Sequence, residues 1–138
     1  MNYDDAIKLL LEVLKTGDFH FHPKFIEELY DLLKTTLKGH ERDFFNRLIK
    51  LLSQLGTLGR EIINIDGHER LAHTGAGEWY SLHIQTKYIN ARLLITFRGN
   101  DPVFLICFNE KAGKRVSGYD KYIPLLSSRL AETEIEHE

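Results

Sequence analysis

Residues 78–108, EWYSLHIQTKYINARLLITFRGNDPVFLICF, begin with residues 78–88, in which apolar and polar side chains alternate. This period of two is typical of β-strands, in which successive side chains point to opposite faces of a sheet. With a short turn around Asn90, the stretch predicts an antiparallel meander of three strands, over residues 78–88, 91–98 and 102–108. The third strand is almost entirely apolar, as expected of a central strand that is covered on both faces.

One face of the first strand is polar and basic. If the turn lies at or near Tyr88–Ala91, Lys87 and Arg92 lie opposite each other. Like charges in such a pair destabilise a sheet unless an anion or water separates them. Four more polar side chains share this side of the sheet: His83, Gln85, Thr96 and Arg98. This face is therefore either a phosphate-binding surface or a solvated outer face with edge lysines.

Helices are predicted before and after this meander. Residues 4–15 keep apolar side chains at helical spacing and have acidic residues in the first turn. A second helix is predicted to begin at Pro23 and to end at Gly39, and a third to cover about residues 40–55 before LGTLG breaks it. A last helix is expected from near Gly118 to about residue 133.

Two further short strands are predicted between the third helix and the meander. EIINI at 61–65 and ERLAHT at 69–74 flank Asp66 and Gly67, a dipeptide typical of a tight hairpin turn. The order of helices, antiparallel strands and a final helix predicts an α+β fold. In this fold the N-terminal helices pack on one face of a mostly antiparallel sheet, and a C-terminal helix follows.

The length and composition are those of one small globular domain, with 138 residues, of which 43% are hydrophobic. We expect a single domain with three parts: a helical region at 1–56, an antiparallel sheet at 61–109 and a C-terminal helix at 118–133. The N-terminus bears acids where a signal peptide bears cations, and the lone Cys107 cannot form an internal disulfide. The expected location is therefore the cytoplasm, without membrane contact.

The net charge of −2 conceals an uneven distribution. Residues 79–130 contain eight Lys and Arg against three acidic residues, a local charge of +5. Residues 1–78 carry −3 and residues 131–138 carry −4. A basic block within an acidic chain indicates a local anionic partner, with scattered surface charge as the alternative.

Residues 105–122, LICFNEKAGKRVSGYDKY, lead from the apolar strand into a basic loop. Lys111, Lys114 and Arg115 would emerge at one end of the sheet, where the arginine fork fits phosphate oxygens. Tyr119 can stack on a base or donate its hydroxyl proton. With a histidine and a glutamate, these residues suit metal-free RNA cleavage: a base takes the 2′-hydroxyl proton, cations stabilise the phosphorane and an acid protonates the leaving 5′-oxygen. The alternative is a solvated loop before a helix.

The histidines give no convincing metal-binding pattern. His20 and His22, in FHFHP, would share a face of an extended segment, and zinc accepts imidazole ligands. His40, His68 and His73 are scattered along the chain, so no third ligand has suitable spacing. We therefore predict no metal site and no cofactor.

Five sequence elements between Lys24 and Ala131 occur in the order seen in a known family. They are a helical pair ending in LLSQLGTLGREI, an aromatic-started strand EWYSLHI, a strand NARLLITF with Arg92 near its start, an apolar strand running into LICFNEKAGKR, and a final helix ending in SSRLAE. In these elements the chain resembles the RelE/ParE superfamily of bacterial type II toxins, and most of all its HigB-like, phage-derived branch.

The resemblance implies a toxin that is neutralised by a cognate antitoxin protein. Many such toxins are metal-independent, ribosome-dependent mRNA endonucleases that inhibit translation, so mRNA on the ribosome is the implied substrate. Two alternatives remain open: ParE-like inhibition of DNA gyrase, and a non-enzymatic, partner-binding role on the same fold.

The resemblance also implies roles for individual residues. Arg92 stands where the family's strand arginine contacts the scissile phosphate, and Lys111 stands among the basic residues that follow the last long strand. His83 lies on the strand before Arg92, and Tyr119 is the nearest candidate toward the C-terminus. The predicted catalytic residues are therefore Arg92, Lys111, His83 and Tyr119. The predicted phosphate-binding residues are Lys87, Arg98, Lys114 and Arg115.

Overall fold

The computed structural model describes residues 19–35, 37–71, 78–110 and 122–136, together with the isolated positions Asp5, Lys8 and Glu12. These three positions are helical, and they lie within the helix predicted over residues 4–15. The rest of that helix lies outside the described residues, as does the basic loop at 111–121.

Within the described residues, a five-stranded sheet forms the centre of the fold. Its strands are β1 (His20–Phe21), β2 (Glu69–Arg70), β3 (Tyr80–Gln85), β4 (Asn90–Arg98) and β5 (Asp101–Asn109), in the spatial order β1-β5-β4-β3-β2. Strands β2 to β5 pair antiparallel with one another, whereas β1 runs parallel to β5. The predicted meander and the α+β class are therefore confirmed.

The described helices are α1 (Pro23–Lys34), α2 (Glu41–Leu58) and α3 (Ile123–Glu136). Helix α1 begins at the predicted proline, and the His22 imidazole caps it by accepting a hydrogen bond from the Lys24 backbone N–H at 3.0 Å. It ends five residues before Gly39. Helix α2 passes through the first glycine of LGTLG and ends before Gly59, whose φ of +56° favours glycine.

Among the described helices, none combines the length and the apolar character needed to cross a membrane.

The segment EIINI does not form a strand, so the predicted hairpin of residues 61–65 and 69–74 is wrong. Instead, Gly59–Asn64 continues from α2 as a 3₁₀ helix, which buries Ile62 completely. A short apolar run fits a buried helical turn as well as a strand, and here the preceding helix decides between them. The turn after it leads into β2, which pairs with β3 instead.

Helices cover both faces of the sheet: the N-terminal helices share one face, as predicted, and the C-terminal helix packs on the other. Helices α1 and α2 pack on the face that carries Leu82, Leu93 and Phe104. On the opposite face, Leu126 of α3 packs in a cluster with Leu94. The consecutive residues Leu93 and Leu94 thus enter two different cores, because successive side chains of a strand point to opposite faces.

The outer edge of β5 is covered by side chains where β1 ends. The Cys107 backbone N–H donates to Glu28 Oε1 at 3.1 Å, and Arg129 Nη1 donates to the Leu105 carbonyl at 2.7 Å. Arg129 and Glu28 also form a two-pronged ion pair with N–O distances of 2.8 and 3.1 Å. An ion pair between α1 and α3 therefore satisfies backbone groups that another strand would otherwise pair.

Candidate functional site

The turn between β3 and β4 lies two residues earlier than predicted. The Thr86 backbone N–H donates to the Ile89 carbonyl at 2.8 Å, and Thr86 Oγ1 accepts from the Ile89 backbone N–H at 3.1 Å. The resulting register places His83, not Lys87, opposite Arg92. The predicted Lys87–Arg92 pair is therefore wrong, because the threonine hydroxyl closes the turn early.

Arg92 lies in a nearly buried ion pair. Its Nε donates to Glu110 Oε1 at 3.0 Å, and the two side chains are 13% and 8% exposed. Its Nη1 donates to the Gly67 carbonyl at 3.1 Å and lies 4.0 Å from Glu69 Oε1. The charge of the guanidinium is therefore balanced from within the protein, and Arg92 fastens the turn at Gly67 to the sheet.

Two imidazoles lie beside this ion pair. The His83 backbone N–H donates to His68 Nδ1 at 3.0 Å, and His83 Nε2 contacts Asn90 Oδ1. Since His68 Nδ1 accepts a hydrogen bond, the proton of its neutral ring is assigned to Nε2. By the same reasoning His83 carries its proton on Nε2, which leaves Nδ1 as the atom that can accept a proton.

The side-chain amide of Asn90 determines the tautomer of His83. Its Nδ2 donates to the Glu110 carbonyl at 3.3 Å, so Oδ1 faces the imidazole. The Asn90 backbone N–H donates to Asn109 Oδ1 at 3.1 Å, and its carbonyl accepts from the Glu110 backbone N–H at 2.8 Å. Asn90 thus connects the end of β5 to His83 and keeps the Nδ1 lone pair of His83 available.

A cavity of about 210 Å³ opens between α2 and β3, and its lining includes both histidine residues. Its polar lining comprises Arg47, Lys50, Gln54, Asp66, His68, His83 and Gln85. We call this cavity the histidine cleft. Arg47 and Lys50 are exposed and lie three residues apart on α2, so they project from the same face of the helix. The Arg47 Nε also contacts Asp43 at 3.1 Å, but an exposed pair of this kind contributes little.

Burial lowers the pKa of both histidines in the cleft. For His68, the nearby His83 and the charge of Arg92 add to the effect of burial. For His83, burial lowers the pKa most, the hydrogen bond with Asn90 opposes this shift, and the charge of Arg92 adds to it. Both rings are therefore neutral at pH 7, the form in which an imidazole accepts a proton.

The free energy of unfolding is expected to decrease as the pH falls below about 6.5, the ordinary pKa of histidine. Because the pKa of His68 is lowered in the folded state, the unfolded chain binds more protons in this range, and protonation favours unfolding. The stabilisation is complete above the unfolded pKa and is lost as the pH falls through the folded pKa. Urea unfolding between about pH 8 and pH 5 measures this dependence.

The matched control for this pH dependence is His68→Gln, which removes the titrating ring. Its free energy of unfolding should depend less steeply on pH over the same range. Equal slopes for the two proteins would contradict a lowered pKa at His68.

The structure brings together two of the predicted catalytic residues, His83 and Arg92. Arg98 lies six residues farther along β4, about 20 Å from Arg92, and pairs across the sheet with Asp101. Lys87 lies exposed in the turn that follows β3. The predicted cationic face is therefore spread along the strand rather than gathered at one point.

Of the other two residues predicted for this face, Gln85 lines the cleft and Thr96 does not. Thr96 is buried, and its hydroxyl donates to the Glu78 carbonyl at 2.6 Å, which is a structural bond. The remaining predicted site residues lie outside the described residues: Lys111, Lys114, Arg115 and Tyr119.

Sequence reasoning missed His68, Asn90 and Glu110 as partners of His83 and Arg92. Asn90 was assigned to a turn and His68 to a set of scattered histidines. The pairing of β4 with β5 brings Glu110 beside Arg92, and no local pattern reports that register. The only sequence signal for the cleft was the spacing of Arg47 and Lys50, which places both cations on the polar side of α2. That spacing does not show which strand lies next to this side of the helix.

The histidines near the N-terminus have separate partners. His20 Nε2 lies 3.5 Å from Asp101 Oδ2, whereas His22 Nε2 lies 2.9 Å from Glu132 Oε2. Among the residues that the structure describes, no group of three His, Cys, Asp or Glu side chains is arranged to hold a metal ion.

No protein-family model, curated protein or solved structure matches this chain.

Proposed function

We propose that this chain is the toxin of a bacterial toxin–antitoxin pair and that it cleaves mRNA on the ribosome, with the histidine cleft as its active site. One observation carries the chemistry: His68 and His83, whose imidazoles are neutral at pH 7, are among the residues that line a cleft together with Arg47 and Lys50. The biological setting is supported by the resemblance of the sequence elements to the RelE/ParE superfamily.

In the proposed reaction, Nδ1 of His83 takes the proton of a ribose 2′-hydroxyl. The 2′-oxygen then forms a bond to the adjacent phosphorus, and the bond from phosphorus to the 5′-oxygen breaks. The products are a 2′,3′-cyclic phosphate and a 5′-hydroxyl end. A neutral His83 suits this role because only the deprotonated nitrogen can act as the base.

The remaining groups stabilise charge. Arg47 and Lys50 stabilise the negative charge that develops on the phosphorane, and the Nε2–H of His68 donates a hydrogen bond to a phosphoryl oxygen. The proton held by His83 passes through water to the leaving 5′-oxygen, so no net proton is gained or lost. Tyr119, which the sequence predicts as the acid, lies outside the described residues.

Arg92 acts in this proposal as a positioning residue. Its guanidinium is already held by Glu110 and is mostly buried, so a phosphate would have to displace that carboxylate to reach it. Its bond to the Gly67 carbonyl holds the turn that precedes His68. The role implied by the family resemblance, direct contact with the scissile phosphate, is therefore less well supported than a role in orienting the cleft.

The double variant Arg47→Gln and Lys50→Gln tests the proposed chemistry. We expect it to cleave mRNA about 10-fold more slowly or worse, because both cations line the proposed active site and stabilise the developing charge in the proposed reaction. The measurement is primer extension on an mRNA in a cell-free translation reaction, together with growth of cells after induced expression. Both side chains are exposed, so the fold should be unaffected.

The matched control is Lys24→Gln, which removes an exposed cation on α1 away from the cleft. It should cleave at the parent rate. An undiminished rate for the double variant would overturn the assignment of the cleft. Inhibition of gyrase supercoiling without new mRNA ends would overturn the proposed endonuclease itself.

A further inference from the structure

The turn between β3 and β4 carries an aromatic ring that is stacked on a second ring. Tyr88 is a large aromatic residue, yet 59% of its surface is exposed to solvent. Its ring lies parallel to the imidazole of His40, with a centroid distance of 4.5 Å and an interplanar angle of 11°. One face of the tyrosine ring is therefore supported from within the protein while more than half of the residue stays in contact with solvent.

This ring pair lies in line with the histidine cleft. His40 is the residue before α2, and Arg47, which lines the cleft, follows seven residues later on the same helix. Seven residues are two helical turns, so Arg47 lies on the same side as His40 and about 10.5 Å farther along the axis. On the sheet, Gln85 lines the cleft and Tyr88 follows three residues later.

Positively charged side chains lie beside the ring pair and in the lining of the cleft. Lys87 is exposed, and its Nζ lies 5.5 Å from the centroid of the Tyr88 ring. An exposed cation–π contact is weak, so Lys87 can leave the ring for a phosphate at little cost. Arg47 and Lys50 supply the next positive charges along the same side of α2.

We propose that Tyr88, supported by His40, is a stacking platform for an unpaired base of a single-stranded RNA whose backbone continues into the histidine cleft. An exposed aromatic ring next to a line of cations is the arrangement by which proteins bind single strands: bases stack on the ring and phosphates meet the cations. Every base has an aromatic face, so the platform adds affinity without selecting a base. A duplex does not use it, because its bases are stacked on each other.

This inference rests on the proposed function, since it names the substrate form that reaches the same cleft. It also gives a reason for the exposed position of Tyr88 at a tight turn. A purely structural role, in which Tyr88 only secures the start of α2 to the turn, would require the ring for stability and not for RNA binding.

The test measures RNA binding separately from cleavage. The probe is a fluorescent 2′-O-methyl RNA oligonucleotide, which lacks the attacking hydroxyl, and anisotropy gives its dissociation constant. We expect Tyr88→Leu to bind the single strand about 5- to 100-fold more weakly than the parent. Tyr88→Phe, the matched control, keeps the ring and should stay within about 2-fold. A duplex of the same length should bind the parent and both variants equally.

The outcomes separate this inference from the proposed function. Binding that depends on the ring, in a protein that produces no new mRNA ends, supports the platform and overturns the nuclease. Cleavage by a Tyr88→Leu protein that binds the single strand as tightly as the parent overturns the platform alone. Failure of the parent protein to bind single-stranded RNA also overturns it. The thermal midpoint of Tyr88→Leu identifies a structural role: equal RNA affinity with a lowered midpoint assigns the ring to stability.

Discussion

Replacing His83 by asparagine is expected to slow mRNA cleavage by about 10²- to 10⁴-fold, the contribution typical of a general base. Asparagine cannot accept the 2′-hydroxyl proton. The backbone N–H that donates to His68 Nδ1 is retained in the variant, so the second imidazole should keep its place. The measurement is the rate at which new mRNA ends appear in a cell-free translation reaction, compared for equal amounts of folded protein.

The dependence of this rate on pH distinguishes a base from a merely structural histidine. The parent rate should rise with pH through the lowered pKa of His83 and then level off, because protonation removes the acceptor. The residual rate of His83→Asn should lack this lower limb. His20→Gln is the control, since His20 lies on β1, at the opposite edge of the sheet from β2. A full rate for His83→Asn would show that the histidine cleft is not the active site.

The second large effect concerns stability at the outer edge of β5. We expect Arg129→Met to lower the free energy of unfolding by about 2–3 kcal/mol, because it removes one partner of a partly buried pair, in which the side chains of Arg129 and Glu28 are 10% and 31% exposed. Glu28 would lose both of its contacts to the guanidinium, and the Leu105 carbonyl would lose its donor. Urea unfolding at pH 7 gives the difference.

The control for this effect removes both charges at once. The double variant Glu28→Met and Arg129→Met should recover part of the loss, since an apolar pair leaves no buried charge behind. Lys24→Met breaks an exposed ion pair with Glu27 and should cost no more than about 1 kcal/mol. A loss below about 1 kcal/mol for Arg129→Met would mean that water compensates the edge of β5 in place of the ion pair.

Local patterns were sufficient to predict most of the regular structure. The period of two in residues 78–88 predicted β3, the apolar run at 102–108 predicted β5, and Pro23 marked the start of α1. These signals come from residues that are close in the chain. Alternating side chains fit the two faces of a strand, and proline restricts the backbone and lacks the N–H that a helix interior needs. The α+β class followed from the order of these elements alone.

Elements and contacts that depend on distant partners were not predictable in this way. EIINI has a strand-like composition, but α2 continues into it and buries Ile62 in a 3₁₀ helix. Which helix covers which face of the sheet was also not predictable. The apolar residues of β4 and β5 indicate that both faces are buried, but they do not indicate which helix buries each face. The register of β3 with β4 depends on one side-chain hydroxyl, that of Thr86, which closes the turn.

The candidate site shows the same division between local and distant information. The sequence by itself determined the three strands of the meander, the basic block at 79–130 and two residues of interest, His83 and Arg92. Only the tertiary structure brought Glu110 to Arg92, His68 to His83 and the exposed cations of α2 to the cleft. The physical reason is that a strand specifies which side its residues face, whereas the partner on that side is chosen by register and packing over tens of residues.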